Sequence, residues 1–438
     1  MRSKLNTIKL AAMLIMLPVV VSAQDTLSLG TAVKQTLENN FSIRMARNDA
    51  SIAKNNNSLG NAGFLPTVNA NTSANNSLSN LNQTYSGGTS YANSSYPTHN
   101  QAAGVQLSWT LFDGFAMFAT REQYATMEQM GDLSLQMAVE DAVSSTILGY
   151  YTIVQEEKLK DNYRVVLNLS RTRLNIAREK AEIGAGYQLA VMQADVDFRA
   201  DSAQLLQQSN NVQNLKVNLN KLMGRDPETE FEVAPDMPES QQIELSQIFD
   251  KLLAQNKELL LAKMNLRTKE LSVRKAQAKR YPTINLSSAY SYSRVSTPDG
   301  STEVNRSFGP SFGLGASITL FNGMNANRAI KNARLQRDNQ DLSNQATTLN
   351  LKGEAVSFFN DLRLAVALVD LGKKSVEMAK INAEVALEKY KIGVFSDLEL
   401  RDAQNRYLDA EYRYLNAQLQ AKTAEVELQV LMGAVVMP

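Results

Sequence analysis

Two hydrophobic rhythms divide the chain. In three short stretches apolar and polar residues alternate, with one lapse at Ser288 and Ala289. Val105, Leu107, Trp109 and Leu111 oppose Gln106, Ser108 and Thr110. Ile284, Leu286, Tyr290 and Tyr292 oppose Asn285, Ser287 and Ser291. Phe312, Leu314, Ala316, Ile318 and Leu320 oppose Ser311, Gly313, Gly315, Ser317 and Thr319. A period of two predicts β-strands with one apolar face. A weaker strand over 68–78 sets Asn69, Asn71, Ser73 and Asn75 against Ala70, Thr72 and Ala74.

Elsewhere the spacing is three and four. Leu400, Ala403, Tyr407, Ala410, Tyr414, Ala417, Ala421, Ala424, Leu428 and Leu431 form one stripe. Val191, Ala194, Phe198, Asp201, Leu205, Gln208, Val212, Leu215, Leu219 and Leu222 form another. A third runs from Ala355 through Leu362, Ala365, Val369, Gly372, Ala383 and Ala386 to Tyr390. Sustained seven-residue periodicity predicts coiled-coil packing, and the many Ala positions suit close helix approach. A second stripe (Leu398, Leu408, Tyr412, Leu415, Leu419, Val426) gives that helix neighbours on more than one side. Residues 322–391 contain no Pro, so a continuous helix there would reach about 100 Å at about 1.5 Å per residue. Residues 30–63 and 244–280 are predicted as helices that stop before Pro66 and Pro282, because the residue before a proline avoids the helical region.

The chain is one plan written twice. Thr110, Leu111, Phe112, Asp113, Gly114 recurs as Thr319, Leu320, Phe321, Asn322, Gly323; Ile183, Gly184 as Ile392, Gly393; and Leu222, Met223, Gly224 as Leu431, Met432, Gly433. All three share an offset of 209 residues, whereas Pro66 and Pro282 are offset by 216. The extra length falls in 70–109, whose Asn, Ser, Gly and Tyr predict a strand-flanked surface loop. The predicted units are a leader at 1–23, a first repeat at 24–224, a linker at 225–242 and a second repeat at 243–438.

The leader places the protein outside the cytoplasm. Arg2, Lys4 and Lys9 precede an apolar run and then Val21, Ser22, Ala23, the layout of a secretory signal peptide. For an exported chain, apolar-out and polar-in strands with small uncharged inward residues fit a membrane barrel as well as a soluble sandwich. Trp109, Tyr281, Tyr290, Tyr292 and Phe321 fall toward strand ends, where an interfacial aromatic girdle belongs. Four strands cannot close a barrel, and an open edge in hydrocarbon costs several kcal/mol per unsatisfied backbone group. Several chains must therefore contribute, and three would give twelve strands.

Composition removes the enzymatic alternatives. The chain has no Cys and a single His, His99. Thiol chemistry, Cys-ligated zinc and Ser-His-Asp catalysis are thereby excluded or disfavoured. No phosphate-cradling loop is present, and no catalytic residue, cofactor or metal site is expected. With 45 Lys and Arg against 44 Asp and Glu, there is no electrostatic footprint for nucleic acid. His99 sits in the Asn-rich stretch and is expected to be a solvent-exposed loop residue.

The duplicated plan, the Leu-Phe-(Asp/Asn)-Gly junctions, the segments Glu179, Lys180, Ala181, Glu182, Ile183, Gly184 and Glu388, Lys389, Tyr390, Lys391, Ile392, Gly393, and the run Asp402, Ala403, Gln404 together resemble the TolC-like outer membrane efflux proteins. The resemblance covers essentially the whole mature chain. It implies a mainly α fold: a long coiled-coil α-helical barrel, plus four strands per chain in a shared transmembrane β-barrel. It also implies a homotrimer in the outer membrane of a Gram-negative bacterium, with its helical part in the periplasm. Such a trimer docks a periplasmic adaptor and an inner-membrane transporter of the RND, ABC or MFS class. The implied function is a passive exit duct for efflux or type I secretion, and the alternative is an exported coiled-coil scaffold without channel activity.

The resemblance also nominates residues. Gly184, Ala185, Gly186 and Tyr187, with Gly393, Val394 and Ser396, fall at two helix-to-helix turns and are expected to form adaptor-docking tips. Gly393 suits the chain reversal and Ser396 a helix N-cap. Glu399 and Asp402 lie three apart on one face near a helix start. Three chains would arrange them as a ring of carboxylates, although acids also favour helix N-termini through the helix dipole alone. Tyr390 and Phe395 are candidates for an aromatic closure. Phe395 and Ala190 occupy the places of the relatives' locking Arg and Asp, so an identical polar lock is not expected.

Overall fold

A computed structural model describes residues 26–240, 243–298 and 302–434. The leader at 1–23 lies outside the described residues. Two short helices, α1 (Leu29–Asn39) and α2 (Phe41–Asn56), follow strand β1 (Thr26–Leu27). A β-hairpin, β2 (Thr67–Thr84) and β3 (Ser90–Asp113), leads into a very long helix, α3 (Ala116–Glu182), and its partner α4 (Gln188–Leu222). After β4 (Glu232–Val233) the plan repeats as α5 (Leu245–Gln255), α6 (Lys257–Ala278), β5 (Thr283–Ser296), β6 (Val304–Ser317), α7 (Asn325–Lys391) and α8 (Asp397–Leu431). The long helices are 67 residues in both halves and their partners 35 in both. At about 1.5 Å per residue, α3 and α7 each span about 100 Å.

The helical stretches at 30–63 and 244–280 are each divided, and the dividing residue is Asn in both. Asn40 Oδ1 accepts from the amides of Ser42 and Ile43 at 2.8 and 3.2 Å, while its Nδ2 donates to the Leu222 carbonyl at 2.8 Å. Asn256 does the same, accepting from Leu259 N at 2.9 Å and donating to the Leu431 carbonyl at 3.0 Å. One side chain thus caps the start of a helix and satisfies an orphan carbonyl at the end of another, which makes a break better than a continuous helix.

The sheet is a single antiparallel layer in the order β2-β3-β5-β6. Between the strands expected at 68–78 and 105–111, most of the expected surface loop is also strand: β2 and β3 pair from Thr67↔Ser108 up to Thr84↔Ser90, leaving only a short turn. The additional length of the first repeat makes a taller hairpin. His99 accordingly lies in a strand, exposed, with its Nδ1 2.8 Å from Asn76 Oδ1. The last strand is shorter than the alternation suggests, ending at Ser317, so Ile318 and Leu320 lie beyond it.

Each strand-to-helix passage uses two successive residues with positive φ, Gly114 and Phe115 (72° and 71°), and Gly323 and Met324 (66° and 60°). At Gly114 the constraint is doubled. A Cβ there would collide with the Ala278 carbonyl and approach Tyr281 Cβ to 2.8 Å, because the start of α3 presses on the end of α6. The helices below the sheet follow its order, α2 beside α3, α3 beside α6 and α6 beside α7, so one wall runs from strands into helices.

Burial follows the predicted stripes. Of the α8 series, all but Tyr414 are buried; Leu398 and Tyr412 of its second stripe remain exposed in the single chain. Gly372 allows close contact, since a Cβ there would lie 3.2 Å from Tyr414. Two apolar clusters sit near mid-length, one around Tyr150, Ile153 and Met223, the other around Ile248, Leu252 and Leu428. Tyr150 braces the first, donating to the Leu27 carbonyl at 2.9 Å and accepting from Ala234 N at 3.0 Å.

Candidate functional site

Two regions combine into one candidate conduit: the open sheet at one end and the paired helical tips at the other. Along the β5–β6 ladder, register places Ile284 beside Ala316, Leu286 beside Leu314, Tyr290 beside Pro310 and Tyr292 beside Phe308, all on one face. Trp109 joins that face beside Leu286, and Val105 beside Tyr290. Most of these side chains are exposed, Phe308 at 74% and Leu314 at 71%, while Ile284 and Leu286 are half-buried. The opposite face carries Asn285, Ser287, Ser291, Gly313 and Gly315. No described helix is long and apolar enough to cross a membrane, and the sheet is the element with a continuous apolar face.

Of the expected girdle residues, Trp109, Tyr290 and Tyr292 lie on this face, Trp109 nearer the helix junction and the two tyrosines nearer the hairpin turns; Tyr281 and Phe321 lie outside the strands, at the passages between sheet and helices. Trp109 Nε1 donates to the Phe64 carbonyl at 2.9 Å, which satisfies its one polar atom.

At the far end, both helical reversals close on a Gly with positive φ, Gly184 (75°) and Gly393 (79°). The turns present exposed apolar side chains: Ile183, Tyr187 and Leu189 on one, Ile392, Val394 and Leu398 on the other. Ala185 is exposed and Gly186 partly covered, packing close to Lys180. Ser396 caps α8 in a reciprocal box: its Oγ accepts from Glu399 N at 3.3 Å, and Glu399 Oε2 accepts from Ser396 N at 2.7 Å. Those bonds from Ser396 hold the exposed Glu399 carboxyl below the usual glutamate range. Asp402, also exposed, pairs with Arg406 Nε at 2.7 Å. Both carboxylates share the outward face of α8, and both have local partners.

Tyr390 is 6% exposed and packs with Ala386, Leu400 and Ala403, with Phe395 alongside. Lys180 of the first tip lies 4.8 Å from its ring and donates to its carbonyl oxygen at 3.1 Å, tying the two tips together. Burial, and then the neighbouring Asp397 charge, push the Tyr390 hydroxyl up from its ordinary pKa. Phe395 is covered by Lys389, whose Nζ is 4.8 Å from the ring.

Polar contacts between the two hairpins, which Phe395 and Ala190 cannot make, come from other residues. Arg173 of α3 is 1% exposed and bonds both oxygens of Asp397, at the start of α8, and Asp197 of α4 at 2.6 Å. One turn further from the tip, Arg401 of α8 takes both oxygens of Asp201 at 2.8 Å each, and Ser170 of α3 donates to the same carboxylate. The Asp201 bonds raise the Arg401 pKa. Two layers of charge therefore cross from the first helical hairpin to the second. The available signal was Asp201, the one carboxylate in a largely apolar stripe, since a buried charge requires a partner. The partners themselves, on α3 and α8, become apparent only from the fold.

An apolar-faced sheet continuous with an approximately 100 Å helical wall, its hairpins cross-linked by ion pairs near the tips, is the architecture of a membrane channel component. The outer membrane efflux protein model matches residues 32–225 and 248–434, and the chain belongs to that family. It is a family of outer-membrane channels rather than of enzymes. Protein CyaE of Bordetella pertussis is 24% identical over 339 residues, covering 76% of this chain and 71% of that protein. The fold is similar to that of the Campylobacter jejuni CmeC outer membrane channel, with a TM-score of 0.79, 17% identity and coverage of 92% and 85% of the two chains. It is also similar to the outer-membrane channel OprN, with a TM-score of 0.76, 18% identity and coverage of 94% and 91%. VceC of Vibrio cholerae gives 0.73 at 16% identity, covering 93% and 96%.

Proposed function

We propose that three copies of this chain close a twelve-stranded barrel in the outer membrane, continuous with a helical tunnel in the periplasm. The assembly is a passive exit duct for a tripartite efflux or type I secretion system. The observation that carries this reading is the four-strand sheet, apolar on one face and open at β2 and β6. Its unpaired edge groups are tolerable in hydrocarbon only if each edge meets a neighbouring copy. Three sheets of four strands fall within the range of known barrels.

The tips at Gly184, Ala185, Gly186, Tyr187 and at Gly393, Val394, Ser396 dock a periplasmic adaptor, and their exposed Ile183, Tyr187, Ile392 and Val394 supply apolar contact area. Energy comes from an inner-membrane transporter of the RND, ABC or MFS class. Glu399 and Asp402 line the narrow end, with Tyr390 and Phe395 packed behind them and the Arg173 and Arg401 layers holding the hairpins together. Reconstitution of the mature chain into planar bilayers tests the reading: discrete conductance steps from a species of three-chain mass are expected. A monomer that inserts and conducts alone would overturn it.

A further inference from the structure

The lipid-facing ladder ends in an arrangement of charge that the channel reading does not use. The alternation of β5 and β6 runs without a register shift, so Arg294 stands on the same face as Tyr290 and Tyr292, and its direct cross-strand partner is Arg306. Like charges directly opposite on a sheet are destabilising. Among the described residues no carboxylate lies within ion-pair distance of either arginine. Arg294 Nε is shut off from solvent and makes no hydrogen bond. On its other side Arg294 is paired with Gln101 of β3, and in the next row His99 pairs with Ser296. Arg306, Arg294, Gln101 and His99 thus gather hydrogen-bond donors on one face, directly beyond the Phe308–Tyr292–Ala103 row.

We propose that this row binds a phosphate group of a lipid in the outer leaflet. The inference rests on the reading of the sheet as membrane-spanning, since that reading sets its depth. Tyr281 and Phe321 mark one interface and Tyr292 with Phe308 the other, so the arginine pair stands at headgroup level on the far side from the helices. A phosphate bridging the two guanidiniums relieves their repulsion, and paired N–H groups match its oxygens. Barrel closure through the backbone of β6 leaves this outward face open. The acyl chains would then lie along the apolar ladder below, over Tyr290, Phe312 and Leu314.

The test uses the full assembled protein in detergent with two probes, bisphosphorylated lipid A and inorganic phosphate. Lipid retention is read by native mass spectrometry and stability by Tm. Arg306→Gln is the first variant, because Arg306 is exposed and has no ion pair to lose; Arg294→Gln and Arg306→Lys accompany it. Each Arg→Gln change should weaken lipid A retention about fivefold, and Arg306→Lys should restore most of it. Without lipid, Arg306→Gln should melt at or above the unaltered protein because the repulsion is gone; with lipid A the order should reverse. Equal gains from lipid A in both proteins would overturn the proposal. So would inorganic phosphate matching lipid A, which would mark a free-anion site. Conductance is recorded in parallel. Normal conductance with unaltered lipid retention sinks this inference alone, whereas absent conductance sinks the channel reading.

Discussion

Replacing Arg173 with Gln is the most direct perturbation of the tip. The guanidinium is 1% exposed, whereas its partners Asp397 and Asp197 are 26% and 32% exposed at the side chain. Removing one member of a buried pair costs about 3–5 kcal/mol when the other charge stays buried. Here the two stranded carboxylates can rehydrate, and Arg173 Nη1 makes no hydrogen bond to lose. A cost of about 2–3 kcal/mol per chain follows, equivalent to a roughly 30- to 150-fold shift between locked and released hairpins. Single-channel recording in planar bilayers should show longer and larger openings for Arg173→Gln. Amide hydrogen exchange should accelerate across the first turns of α8. Asp397→Asn should act in the same direction but less, because Asp197 still holds the guanidinium. A double-mutant cycle should return a coupling above about 1 kcal/mol. If the assembled variant conducts as the unaltered protein does and tip exchange is unchanged, the lock is structural decoration and the reasoning fails.

The remaining predictions concern the caps and elbows. Glu399 has its carboxyl pKa lowered on folding by Ser396. Its capping contribution is therefore complete above the unfolded value, near 4.5, and is lost as pH falls through the lower folded value; hydrogen exchange at residues 397–400 should show this acid dependence, and Glu399→Gln should abolish it. Asn256→Ala should destabilise the protein by about 1–2 kcal/mol, read as a Tm decrease, because it removes a cap and strands the Leu431 carbonyl together. Gly114→Ala should abolish assembly in the membrane fraction, since it adds a clash with α6 to backbone strain. Gly323→Ala meets only Asn325 Nδ2 at 3.9 Å and should cost about 1 kcal/mol from strain alone; comparable assembly yields for the two would count against the contact.

The sequence made the large architecture legible because period and repetition survive without tertiary context. The α8 stripe from Leu400 to Leu431 is buried almost residue for residue, and the two Gly turns fall where chain reversal was expected. Boundaries were harder. Asn40 and Asn256 interrupt helices whose composition runs on smoothly, because their break is stabilised by carbonyls of helix ends far along the chain. The Asn- and Ser-rich middle of the 70–109 stretch reads as a loop, yet it continues the flanking strands, because cross-strand pairing in context outweighs local propensity. The ion-pair layers were not read from the sequence: Asp201 was only one member of a helical stripe, Arg173 and Arg401 sit in ordinary charged helices, and only the approach of the two hairpins makes them partners.

The two charge layers also make the halves of this duplicated chain chemically distinct. Offsetting Arg173, Asp197 and Asp201 by 209 residues gives Asn382, Arg406 and Ala410, and the counterparts of Asp397 and Arg401 are Gln188 and Met192. A ring of six identical half-length subunits, two strands apiece, would reproduce the wall yet contain no such bridge. In the proposed trimer, fusing the halves into one polypeptide would let alternate positions around the ring carry different chemistry, and hence be fastened pairwise instead of uniformly.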